Sequence, residues 1–132
     1  MVILFRRCPL WALLIVATGT IGTAAAHHSF AATYDAGRRQ QIEGEVAQFL
    51  FRNPHSMVHI LAPDENGDMQ RWAIEWAGVN VLTGQGISRE TLRIGDGVIV
   101  TGNPGRVEAD HRMRMLSIER PIDGWKWRGT FE

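Results

Sequence analysis

Apolar and polar residues alternate along much of the chain, beginning at residues 42–46, where Ile42, Gly44 and Val46 alternate with two glutamates. A period of two predicts a strand with one buried face. The alternation changes phase near Gln48, because Phe49 and Phe51 join the apolar set. A β-bulge reconciles the two halves, so we predict one long, bulged first strand that ends at Asn53.

Four later segments have the length and composition of strands: Ser56–Ala62, Met69–Trp76, Val98–Gly102 and Arg112–Ile118. The first of these has apolar residues on both faces, which predicts a strand covered on both sides. Turn-forming residues at 63–68 and 103–105 predict two loops. Residues 125–127 predict a short edge strand.

A break in the strand pattern separates the third strand from the fourth. Residues 80–83 predict a short helix, and Ser88 fits the N-cap of a further helical turn that ends at Leu92. This element order matches an OB-type barrel. We therefore predict an all-β fold, an OB-like five-stranded barrel with one or two short helices; a β-sandwich fragment or an open α+β sheet is the alternative. Four side chains are expected to be buried in the barrel: Val46, Ile60, Ile74 and Val100.

The start of the chain has the composition of a secretory signal peptide. Arg6 and Arg7 are basic, residues 10–17 are apolar, and Thr23–Ala26 are the small residues that signal peptidase needs. The apolar run is shorter than the roughly 20 residues of a spanning helix. We expect export to the periplasm, or secretion, with no stable membrane anchor after cleavage; an uncleaved anchor is the alternative. The predicted parts are a signal peptide (1–26), an N-terminal extended segment (27–41) and the barrel domain (42–132).

The composition and the absence of certain motifs argue against nucleic-acid binding and against several enzyme classes. The 132 residues carry 14 basic and 14 acidic side chains, whereas a general nucleic-acid binder shows a basic excess. The one cysteine, Cys8, lies in the predicted signal peptide, so the mature chain is expected to have no disulfide. The sequence contains no phosphate-binding glycine loop and no nucleophile motif. We predict a non-enzymatic binding protein without a nucleic-acid partner.

A set of short motifs is spread over residues 27–118: His27-His28-Ser29-Phe30, Tyr34-Asp35, Asn53-Pro54-His55, Trp72 with Glu75, and Ser88–Leu92 before Gly95-Asp96. Together they resemble an uncharacterised family of small exported bacterial proteins, a domain of unknown function with an N-terminal His-His-Ser and an internal Asn-Pro-His. The resemblance implies export and a common fold, and it implies no activity. The sequence departs from the family pattern at Asn103–Asp110, a charged loop.

Histidines at the expected new N-terminus predict a metal site. Cleavage after Ala26 makes His27 the first residue, whose amine and imidazole can chelate one ion together. Cleavage one or two residues earlier places His28 or His27 third, where the amine, two amides and the imidazole form a square-planar set. Nitrogen ligands in that geometry favour Cu(II) or Ni(II). We predict that His27, His28 and His55 bind a transition metal, copper first; histidines without a metal role are the alternative.

Other histidine, methionine and glutamate residues are predicted to have structural roles in the sheet rather than to bind a ligand. His59 lies roughly 13 Å from His55 along a straight strand, so it is predicted to be a hydrogen-bonded sheet residue. Met113 and Met115 are predicted to be core residues rather than Cu(I) ligands. Glu75, like the glutamates of the first strand, is predicted to be solvated.

A tryptophan–arginine face is the alternative binding site. OB barrels bind oligosaccharides on such faces, where aromatic rings stack and cations contact polar groups. The partner would be an envelope glycan or an envelope protein, and the oligomeric state is left open. The residues predicted to contact this ligand are Trp72, Trp76, Arg112 and Arg114.

Overall fold

The computed structural model describes residues 30–129, and the predicted signal peptide lies outside them. Residues 30–33 are helical. The described strands are β1 (Gln40–Leu50), β2 (Met57–Pro63), β3 (Met69–Glu75), β4 (Gly97–Pro104), β5 (Arg112–Arg120) and β6 (Trp125–Arg128). The described helices that follow β3 are α1 (Val79–Gly84) and a short 3-10 helix (Glu108–Asp110).

Five of the strands close into a barrel. β1 pairs antiparallel with β2 on one side and with β4 on the other. β3 pairs with β2, and β5 pairs with β4, again antiparallel. Parallel pairing of Ala73–Glu75 in β3 with Arg112–Arg114 in β5 closes the ring. The predicted OB-like five-stranded barrel is therefore confirmed, and β6 extends the sheet beyond β5.

The first strand is curled by a bulge and by close packing at a glycine. The register between β1 and β2 shifts between Val46 and Gln48, where the apolar pattern changes phase. A Cβ on Gly44 would lie 2.1 Å from the carbonyl oxygen of Leu61, so only glycine fits there without moving the backbone. The predicted bulge is confirmed, and the curled β1 pairs with both β2 and β4.

The barrel interior is apolar and closely packed. Val46, Ile60, Ile74 and Val100 are each at most 1% exposed, as the sequence predicts. Met113 and Met115 are fully buried, which confirms them as core residues. Leu82 of α1 also joins the core cluster, so the helix covers one end of the barrel.

Several boundaries differ from the sequence predictions. β4 continues to Pro104 instead of ending at Gly102, because Asn103 and Pro104 pair with β5. The predicted helical turn after Ser88 is a hydrogen-bonded turn, and the second short helix lies at Glu108–Asp110. Leu61 is 44% exposed, so β2 is covered on one face only. Residues 30–33 are helical rather than extended.

Candidate functional site at the end of the barrel

The loop between β1 and β2 is folded around Ser56. Its hydroxyl accepts a hydrogen bond from the backbone N–H of Arg52 and donates one to the carbonyl of the same residue, both at 3.2 Å. The backbone of Ser56 bonds in both directions to the chain that follows β3, at Trp76 and Ala77. These bonds fix the residue before Ser56, which is His55, at the end of the barrel.

The Asn53-Pro54 motif packs against the chain that leads into α1. The Oδ1 of Asn53 accepts a hydrogen bond of 2.9 Å from the backbone N–H of Val79. The Asn53–Pro54 peptide is cis. A Cβ on Gly78 would lie 2.5 Å from the carbonyl oxygen of Pro54, so this approach requires glycine. The motif therefore holds the loop against the barrel, and His55 follows it directly.

Glu75, the last residue of β3, is the centre of a polar cluster at this end of the barrel. It is only 9% exposed. The Tyr34 hydroxyl donates a 2.5 Å hydrogen bond to its Oε2, and the Nδ1 of His55 lies 2.6 Å from its Oε1. Burial, followed by the hydrogen bond and charge of Glu75, raises the pKa of Tyr34 above its usual value near 10. The carboxylate thus joins two residues that are far apart in sequence.

Arg112 completes this cluster, which we name the His55 site and define as Tyr34, His55, Glu75 and Arg112. The Nη2 of Arg112 lies 3.9 Å from the Oε2 of Glu75 and 3.5 Å from the Tyr34 oxygen. These are long contacts beside the two short bonds that the carboxylate accepts. A shallow cavity of about 340 Å³ opens beside His55, Glu75 and Arg112.

Aromatic and cationic side chains cover the site from the start of the described chain. The ring of Phe30 lies 5.2 Å from the ring of His55, measured between centroids. The guanidinium of Arg114 lies 4.3 Å from the centroid of the Phe30 ring, within the range of cation–π attraction. Phe30 is therefore packed between β5 and His55.

A second cavity, of about 660 Å³, lies beside the loop between β4 and β5. Trp72, His111 and Arg112 are among the residues that line it. His111 packs edge-on against Trp72, with 5.1 Å between centroids, and its Nε2 lies 3.9 Å from the Oδ2 of Asp64. Its φ of 45° is left-handed, which histidine adopts more often than most residues.

The predicted metal ligands are only partly within the described chain. His55 lies in the site defined above, whereas His27 and His28 lie outside the described residues. Within residues 30–129, no group of three or more His, Cys, Asp or Glu side chains could hold a metal ion.

The four residues predicted to contact a glycan or protein separate in the structure. Trp72 is 4% exposed and its Nε1 donates to the carbonyl of Ala62. Trp76 is fully buried against Trp127, at 5.0 Å between centroids. Arg112 and Arg114 contact Tyr34 and Phe30 instead. These two arginines thus lie at the His55 site, and the two indoles pack in the core.

Two expectations for single side chains are corrected. Glu75 is not solvated, because Tyr34 and His55 pack against its carboxylate at the end of β3. His59 does not gain the hydrogen bond expected at Nδ1, which is buried without a partner among the described residues. Burial, with Arg71 and Arg52 nearby, lowers the pKa of His59.

Tyr34 and Glu75 are the site residues that pattern reasoning missed. Tyr34 is anchored by a β-bridge to Gly105, a long-range pairing that no local periodicity reports. Both residues stood among the motifs that carry the family resemblance, as did His55. The presence of Tyr34, Glu75 and His55 in the same set of family motifs was the sequence signal that could have grouped these three residues.

Within residues 30–129, the structure contains no helix long and apolar enough to cross a membrane. No curated protein matches the chain, and no solved structure matches it. One family model matches residues 14–114, and its description is a family of unknown function, DUF6152. The match spans the barrel from before β1 into β5, and the chain therefore belongs to the DUF6152 family.

Proposed function

We propose that the protein is an exported, non-enzymatic binding protein that holds one Cu(II) ion between His55 and the histidines that precede Phe30. The observation that carries the proposal is the ring contact between Phe30 and His55. His28 is two residues before Phe30 and His27 is three. At no more than about 3.6 Å per residue, the backbones of both histidines stay within roughly 11 Å of the Phe30 Cα.

The bond to Glu75 prepares His55 to act as a ligand. A carboxylate accepts hydrogen bonds, so the Nδ1 of His55 carries the proton that it donates to Glu75 across 2.6 Å. The other ring nitrogen, Nε2, is then the atom that would bind a metal. Histidine ligands in metal sites are commonly oriented by such a carboxylate partner. Tyr34 in turn holds the second oxygen of Glu75.

Copper is the metal that this donor set favours. An N-terminal histidine supplies an amine and an imidazole, and His55 would add a second imidazole. Nitrogen donors bind Cu(II) more tightly than the other divalent first-row ions. Arg112, at 3.9 Å from Glu75, balances the charge of the carboxylate, which is engaged by His55 and Tyr34 rather than offered to the ion.

The proposal is tested by comparing chains that differ only at the N-terminus. A chain beginning at His27 with a free amine is titrated with Cu(II) by calorimetry, beside the same chain with an acetylated amine. We expect one Cu(II) per free chain. Loss of the amine should weaken binding by more than the roughly 10–100-fold that loss of an outer hydrogen-bond partner costs.

Two histidine variants assign the remaining ligand. His55→Ala should weaken Cu(II) binding strongly, whereas the matched variant His111→Ala should leave it unchanged, because His111 packs on Trp72 in the other cavity. If the acetylated chain and His55→Ala both bind as tightly as the free chain, the proposal is wrong.

A second candidate function rests on the larger cavity. Its volume of about 660 Å³ is within the roughly 300–1,000 Å³ of small-molecule sites, and Trp72 and Arg112 both line it. We propose an envelope glycan as its occupant if copper binding fails. Saturable quenching of tryptophan fluorescence by a peptidoglycan fragment, weakened by Arg112→Gln and not by Arg128→Gln, would support it. Quenching that does not saturate would contradict it.

A further inference from the structure

The shallow cavity beside His55 carries an excess of positive charge. Arg52 and Arg112 line it from opposite elements, the β1–β2 loop and the start of β5. The acidic side chain among its lining residues is Glu75. Two arginines, whose side chains stay charged at any physiological pH, thus line the cavity together with one acidic residue.

Glu75 does not neutralise both arginines. Its short hydrogen bonds go to Tyr34 and His55, one on each oxygen, and Arg112 stays 3.9 Å from the nearer of them. A guanidinium has five N–H donors in a fixed fork. The Arg112 side chain is 41% exposed, so part of that fork faces the cavity.

The backbone of Arg52 is held in place by the loop, and its side chain forms no ion pair within residues 30–129. Its backbone N–H and carbonyl are both bonded to the Ser56 hydroxyl, which sets the direction in which the side chain leaves the loop. Among the described residues, no carboxylate lies within ion-pair distance of its guanidinium. The residue is exposed and is one of those that line the cavity.

We propose that this cavity binds a small oxyanion, a carboxylate or phosphate group, between Arg52 and Arg112. Arginine forks match both groups in geometry and form charge-assisted hydrogen bonds to them. The volume of about 340 Å³ is at the small end of ligand sites, which fits a single anionic group rather than a polymer. The site uses the arginines and not the His55 ring nitrogens, so it is independent of copper binding.

The test uses the purified protein after metal removal on a chelating resin, titrated with inorganic phosphate and separately with acetate. Chemical shifts of the backbone and arginine side-chain N–H groups are followed by NMR. We expect saturable shifts at Arg52, Asn53, His55 and Arg112 with at least one probe. The probe that binds more tightly identifies the group that the cavity prefers.

Three single-charge variants decide whether the cavity is the site. Arg52→Gln and Arg112→Gln should each weaken binding about tenfold, the expected cost of losing a hydrogen bond to a charged group. Arg128→Gln removes an equal charge from β6 and should leave the affinity unchanged. The Arg52 side chain forms no ion pair within residues 30–129, although its charge acts on His59. Arg52→Gln therefore decides the matter if Arg112→Gln disturbs the fold.

Linear, non-saturating shifts would overturn the proposal. Equal weakening by Arg52→Gln and Arg128→Gln would also overturn it, because binding would then follow net charge alone. Because no metal is present, these outcomes are read separately from the success or failure of the copper experiments.

Discussion

Two histidine–carboxylate pairs lie on one side of the barrel, and their geometries differ. The Nδ1 of His55 lies 2.6 Å from Glu75, whereas the Nε2 of His111 lies 3.9 Å from Asp64. The first distance is a strong hydrogen bond and the second is not one. A histidine and a carboxylate therefore form a hydrogen-bonded pair in one place and are only neighbours in the other.

The two histidine–carboxylate distances differ because each carboxylate accepts different additional hydrogen bonds. Asp64 begins the turn between β2 and β3, and its oxygens accept hydrogen bonds from the backbone of Asn66 and Asp68 and from the Gln70 side chain. These local bonds are typical of an aspartate that shapes a turn. Glu75 accepts bonds from Tyr34 and His55, which are distant in sequence. Glu75 therefore joins distant parts of the chain into a candidate site, whereas Asp64 stabilises its own turn.

The largest expected effect compares removal of the two carboxylates. Glu75→Ala leaves the Tyr34 hydroxyl and the His55 ring without their acceptor in a buried setting and should cost about 3 kcal/mol of unfolding free energy. Asp64→Ala loses exposed turn bonds and should cost about 1 kcal/mol. Urea unfolding of both variants measures the difference, and equal losses would break the comparison.

A smaller effect concerns the ionisation of Tyr34, the one tyrosine of the chain. Because its pKa is raised in the folded state by burial and by Glu75, the phenol should stay protonated above pH 10, where an unperturbed tyrosine ionises. This term stabilises the fold fully below pH about 10 and is lost as the pH rises further, because the unfolded chain then releases the proton more readily.

Ultraviolet absorbance of the tyrosinate measures this ionisation without interference from another tyrosine. Glu75→Gln removes the carboxylate charge and should move the titration of Tyr34 down, whereas Asp64→Asn should leave it in place. The alkaline loss of stability should be absent in Tyr34→Phe. A midpoint near pH 10 in the unmodified protein would contradict the assigned contact.

The smallest effect is expected at His111. Asparagine also tolerates the left-handed backbone that His111 adopts at φ 45°, so His111→Asn should lose only its contact with Trp72, about 1 kcal/mol or less. Thermal unfolding and Cu(II) titration of this variant complete the comparison. A large loss of stability, or any loss of copper affinity, would show that the His111 pair is more than a local contact.

The fold could be predicted from the sequence to a large extent. The strand periods, the phase change at Gln48 and the break before residue 80 are local signals, and each has its counterpart in β1, the bulge and α1. The end of β4 was misplaced because Asn103 and Pro104 are turn-forming residues that nevertheless pair with β5. Pairing of that kind depends on the closed barrel and not on local composition.

The candidate site could be predicted only in part. His55 was singled out because it follows a motif and starts a strand. Glu75 has the sequence pattern of a solvated strand residue, and it is buried by Tyr34 and His55, which are distant from it in sequence. Trp72 and Trp76 were expected at a binding face, but the alternation of β3 points both indoles into the core. The prediction that Ile74 is buried already placed these two tryptophans on the inward face, and the expectation of a binding face conflicted with it.

The most direct test of the account is the electron paramagnetic resonance spectrum of the chain that begins at His27, loaded with one equivalent of Cu(II). If His55 binds the ion through Nε2, the hyperfine pattern of the nitrogen ligands changes in His55→Ala and stays unchanged in the control His111→Ala. Glu75→Gln should give an intermediate effect, with affinity lowered roughly 10–100-fold. A spectrum that is identical in the unmodified chain and in His55→Ala would contradict the central claim that the barrel supplies a copper ligand.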